Sequence, residues 1–187
     1  MDSKELISKF LSHKKRKPSV CYPDTIVDFV GDLYGYWHSE TNYFNIVQVR
    51  VALIALLEAK ENSVITLTQL KKAIYYLENF HFSFNAVGAQ PTNKLEPIYS
   101  TFAIKLRACN DKVAARTILS ELFAELDNIY IPYKDFEEKF ILLTYTKKDS
   151  PSNVKTKYAI NKIASYYEGK EVFEDDGSVE HILPESA

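Results

Sequence analysis

Apolar positions recur at three- and four-residue spacing along most of this 187-residue chain, a period that predicts helices rather than strands. Residues 3–13 place Leu6, Ile7, Phe10 and Leu11 on one face, behind Ser3 as an N-cap. Residues 23–37 repeat Ile26, Val27, Val30, Leu33, Tyr34 and Trp37 at the same spacing. Gly31 and Gly35 there either weaken the helix or let a neighbour approach closely. Residues 45–60 are apolar nearly all round, which predicts a central buried helix. Ile46, Val49, Leu53, Ile54 and Leu57 are expected among its most buried side chains.

Helical spacing continues through 66–80, which opens on a threonine start signal and repeats Leu70, Ala73, Ile74, Leu77 and Phe80. Residues 81–94 lose the period and carry Gly88, Pro91 and two asparagines, so they predict an irregular connection pinned by Phe80, Phe82 and Phe84. Pro97 suits the first turn of a helix over 96–109, where its missing N–H costs nothing. Asn110–Asp111 interrupts the pattern before 111–126, and segments 132–145 and 152–169 follow, the last with Gly169 as its stop. The fold class is therefore all-α: about eight helices over residues 1–170, then a short C-terminal strand or irregular tail over 171–187.

Composition agrees with this pattern. Only five glycines are present, fewer than the turns of an all-β fold require. A net charge of -2 supplies no global basic field, so any nucleic-acid contact must be local. The run Lys14–Lys17 reads as a solvated linker, with phosphate contact as its other use. Cys21 and Cys109 match no zinc or redox spacing and read as small buried apolar groups. The longest apolar stretch, 46–57, is broken by Gln48 and Arg50 and falls short of the ~20 residues a membrane span needs. No export signal is visible, and the expectation is a soluble, cytoplasmic protein without membrane contact.

Four histidines invite a chemical reading. His13 and His38 end helical segments, where a cation favours the helix dipole. His81 lies among phenylalanines, as a packed and hydrogen-bonded histidine at a helix end would, with ligand sensing or base contact as the functional alternative. Tyr75–Tyr76 and Tyr166–Tyr167 occur as pairs, of which one member each must lie nearer the surface.

His181 stands in SVEHILPES, residues 178–186, after a helix and the acidic linker EVFEDDG. This stretch resembles the start of the HNH (His-Me finger) nuclease domain of GmrSD-type restriction endonucleases, and residues 77–106 are similar to the helical middle region of that family. Members of that group often join a ParB-like N-terminal domain, a helical middle region and the HNH domain. The resemblance implies that His181 is the general base that deprotonates water for attack on a phosphodiester. It implies that Glu180 binds a divalent ion, Mg²⁺ or Mn²⁺, beside it. Pro184 would end the strand.

The family's site is a ββα unit whose second strand, helix and remaining Asn or His ligands follow this motif, whereas the chain stops at Ala187. One carboxylate and one imidazole are too few ligands for a dedicated metal site. The expectation is thus the middle piece of a larger phage-defence nuclease, cut just inside its catalytic domain, holding no cofactor and inactive alone. Its partners would be the flanking domains of the same polypeptide, a sensor or NTPase domain on one side and the nuclease on the other, with DNA reached by the longer protein. The reading from another class is a free-standing helical module for protein–protein interaction.

Overall fold

Six α-helices account for most of the residues that the computed structural model describes, 47–146, 148 and 151–168. They are α1 (Val49–Glu61), α2 (Leu67–His81), α3 (Leu95–Arg107), α4 (Lys112–Asn128), α5 (Tyr133–Phe140) and α6 (Pro151–Glu168). No strand occurs among the described residues, and the all-α class holds. The six correspond to the last six of the eight expected segments. The first two, the short strand near the C-terminus, and the boundary at residue 170 all lie outside the described residues. Among the described residues, those from 47 to Phe140 belong to one compact unit and those from Ile141 onward to a second.

Local sequence sets the helix boundaries. Thr66 caps α2 in a reciprocal box: its hydroxyl accepts from the Gln69 N–H at 3.2 Å, and the Gln69 side chain accepts from the Thr66 N–H at 2.8 Å. Asp111 caps α4 by accepting from the Ala114 N–H at 2.7 Å. The end of α1 closes without glycine. Ser63 takes a φ of 58°, the Val64 N–H reaches the Ala59 carbonyl at 2.8 Å, and the Ser63 N–H reaches the Lys60 carbonyl at 3.0 Å. That is a Schellman closure with serine in the left-handed position.

In the first unit α1 packs chiefly on α3, and α3 also packs on α4. Arg107, at the end of α3, donates to Glu58 on α1 at 2.5 Å. The core comprises Leu56 from α1, Leu70, Ile74, Leu77 and Phe80 from α2, Leu95, Tyr99 and Leu106 from α3, and Leu119, Leu122 and Leu126 from α4. The expected burial pattern of α1 needs correction. Leu57 is buried, but Val49, Leu53 and Ile54 are half-buried, Val51 is exposed, and Ile46 is undescribed. The stripe that meets the neighbours is Ala52, Ala55, Leu56 and Ala59, because small side chains let two helices approach closely.

Two other boundaries differ from expectation. Residues 82–87 are not a loop but a π-helical continuation of α2, with the Gly88 N–H bonded to the Ser83 carbonyl at 2.8 Å. Burial explains it: Phe82, Phe84, Ala86 and Val87 are all buried, and a buried backbone must satisfy its own polar groups. α5 ends at Phe140 rather than near residue 145. Beyond it the Thr144 and Thr146 N–H groups donate to the side chains of Ser152 and Asn153, at 3.1 and 2.9 Å. The Thr156 hydroxyl donates to the Thr144 carbonyl at 3.0 Å. These bonds tie an extended strap to the first turns of α6, replacing the helical ladder that the apolar period suggested.

Candidate functional site

A buried polar chain runs from the end of α2 through the π-helical turn to α3. His81 is the last residue of α2 and is 1% exposed. Its Nδ1 lies 2.6 Å from the Asn85 side-chain oxygen, and its Nε2 lies 2.8 Å from the Tyr99 hydroxyl. The Asn85 amide nitrogen donates to the Gln90 carbonyl at 2.8 Å, which leaves the amide oxygen as the acceptor facing His81. The imidazole therefore carries its proton on Nδ1 and accepts the Tyr99 O–H at Nε2. One tautomer satisfies every group in the chain.

Electrostatics follow from burial. Desolvation lowers the His81 pKa from its ordinary 6.5 to about 4, against a smaller upward pull from Asn85. Burial likewise pushes the Tyr99 phenol well above its usual range. Neither group ionises near neutral pH. Phe80 meets the His81 ring edge-on at 5.4 Å and stacks on Phe84 at 5.0 Å, closing the imidazole within an aromatic wall. An imidazole so enclosed cannot meet a substrate or a base. Of the two uses expected for His81, packing is the one its surroundings allow.

The π-helical turn ends in an unusual division of labour. Gly88 has an ordinary φ of -68°, yet a Cβ there would lie 2.6 Å from the Phe84 carbonyl oxygen and 2.9 Å from the Ile131 side chain. Glycine is needed for space. Ala89 takes the left-handed position instead, with a φ of 54°. The Gly88 carbonyl receives two donors, the Lys139 amine at 2.7 Å and the Gln90 side chain at 3.3 Å.

A second polar contact joins α2 to α4. The Tyr76 hydroxyl donates to the Asp127 carboxylate, and its ring packs 4.4 Å from that of Phe123. Burial and the Asp127 charge both raise the Tyr76 pKa. Tyr75 and Tyr76 are both half-buried, so neither points freely outward, whereas Tyr167 on α6 is exposed. A shallow surface groove lies between α3 and α4, floored by Phe102 and Leu122, with Lys105 and Glu121 paired at 2.8 Å on its rim.

Glu180 and His181 lie outside the described residues, as do His13, His38, Cys21 and Lys14–Lys17. Among the described residues no group of three or more His, Cys, Asp or Glu side chains could hold a metal ion. Cys109 is half-buried and its thiol donates to the Asp111 carbonyl at 3.1 Å, so the expected buried apolar role is corrected to a helix-connection contact. No helix among the described residues is long and apolar enough to cross a membrane. The partners of His81 were not singled out in the sequence. The spacing of His81 and Asn85 on one helical face was a usable signal, but Tyr99 is distant in the chain and nothing local marks it. Comparison with protein-family models, with curated proteins and with solved structures finds no match to this chain.

Proposed function

We propose that the helical body is the scaffold of a metal-dependent DNA endonuclease resembling the GmrSD type, and that Glu180 and His181 open its HNH site. The observation that carries this reading is the sequence Glu-His-Ile-x-Pro at 180–184, in its expected place after a helix and an acidic linker. The all-α architecture agrees with a helical scaffold. His81 is buried, is engaged by Asn85 and Tyr99, and does structural work. In the proposed reaction His181 takes a proton from the attacking water, and a divalent ion beside Glu180 offsets charge on the phosphate.

The metal requirement gives the test. With the product of the complete reading frame, Glu180→Gln should raise the Mg²⁺ or Mn²⁺ concentration needed for half-maximal DNA cleavage by roughly tenfold or more, because a neutral amide holds a dication less well than a carboxylate. An unchanged metal dependence would remove Glu180 from the site.

A further inference from the structure

Helix α5 is held to the body in an asymmetric way. It has eight residues, none of them buried, whereas the π-helical turn it rests on is almost wholly buried. Its contacts there include an aromatic pair and a charged hydrogen bond. Phe140 meets Phe82 edge-on at 6.4 Å, with Phe136 stacked on Phe140 at 5.2 Å, and the Lys139 amine donates to the Gly88 carbonyl at 2.7 Å. That carbonyl sits at the C-terminal end of a helical turn, where a cation is favoured. A helix of this length is not stable alone in water, so leaving the surface means unfolding.

The receiving side, by contrast, is built to remain as it is. The turn is anchored through Asn85 to His81 and Tyr99, and Gly88 is fixed by the absence of room around it. When Lys139 leaves, the Gln90 side chain at 3.3 Å still supplies a donor to the Gly88 carbonyl. Release therefore strands no acceptor, which is the usual penalty for breaking a partly buried hydrogen bond.

From these contacts we infer that α5 is a detachable latch on the π-helical turn: the Lys139–Gly88 bond and the Phe140–Phe82 contact hold it shut, and it opens by local unfolding of 132–140 while the turn stays folded. This inference stands apart from the nuclease reading and survives its failure.

Native-state hydrogen exchange on the full chain tests it. The α5 amides from Phe136 to Phe140 should exchange through a local opening roughly a hundredfold more frequent than that of the central α2 amides. Lys139→Met should raise α5 exchange roughly tenfold, the worth of a charge-assisted hydrogen bond, and leave exchange at Phe82–Val87 unchanged. Lys139→Met combined with Gln90→Leu should raise exchange in the π-helical turn as well, because the Gly88 carbonyl then loses both donors. Exchange of α5 at the rate of α2, or no response of α5 to Lys139→Met, would overturn the latch. A rise in α2 and α5 together in the single variant would also overturn it, since the contact would then belong to the global core.

Discussion

Acidification should destabilise this fold through His81, and the size of the effect can be worked from its burial. The imidazole is folded into place neutral, with a pKa of about 4 against 6.5 when exposed. A depressed pKa means that the unfolded chain binds the proton more readily. Its stabilising share is therefore complete above pH 6.5 and is lost as pH falls toward 4. Between pH 7 and pH 5 the loss is about 2 kcal/mol, and by pH 4 about 3 kcal/mol, from 1.36 kcal/mol per pKa unit. Carboxylates titrate in the same range, so the difference between wild type and His81→Gln is the quantity to read. Urea unfolding followed by circular dichroism at pH 7, 6, 5 and 4 supplies it. The wild type should lose about 2 kcal/mol more than His81→Gln between pH 7 and pH 5. Parallel pH profiles of the two proteins would refute the reasoning, because the histidine would then titrate alike in both states.

Other consequences of the same packing can be measured at neutral pH. Phe84→Ala should cost about 3 kcal/mol, since Phe84 is buried and stacks on Phe80, and Phe82→Ala should cost less because its ring meets α5 near the surface. Equal losses below ~1 kcal/mol would mean that the aromatic wall contributes little. Gly88→Ala should destabilise by more than ~1 kcal/mol through its contact with the Phe84 carbonyl, whereas Ala89→Gly should stabilise by up to ~1 kcal/mol by relieving a left-handed alanine. Reversed signs in thermal unfolding would contradict the assignment of space to one and backbone freedom to the other.

What the sequence revealed and what it hid follow different physics. Helices α1 to α4 were legible because their caps and apolar periods are local: Thr66 with Gln69, and Asp111 with Ala114, act within one turn. The π-helical turn was not, because Gly88 and Asn85 carry loop signals, and only the burial of Phe82 and Phe84 keeps the backbone helical there. Gly88 marks a close approach rather than a positive φ, and among the described residues the positive φ values fall on Ser63 and Ala89, which no turn rule favours. The end of α5 was missed because the donors of the following strap go to Ser152 and Asn153, partners its own apolar pattern does not announce. His81 was recognised as a packed histidine from its aromatic neighbours, but its tautomer depends on Tyr99, 18 residues away, and needs the fold.

The nuclease reading rests on His181, and one measurement meets it directly. Cleavage of double-stranded DNA with Mg²⁺ or Mn²⁺ should be compared between the product of the complete reading frame and its His181→Ala variant, with circular dichroism as the check on folding. Removing the one group near neutral pKa that can take the proton from attacking water should abolish cleavage while leaving the helical signal intact. Full cleavage by a folded His181→Ala protein would contradict the assignment, whatever the motif around it suggests.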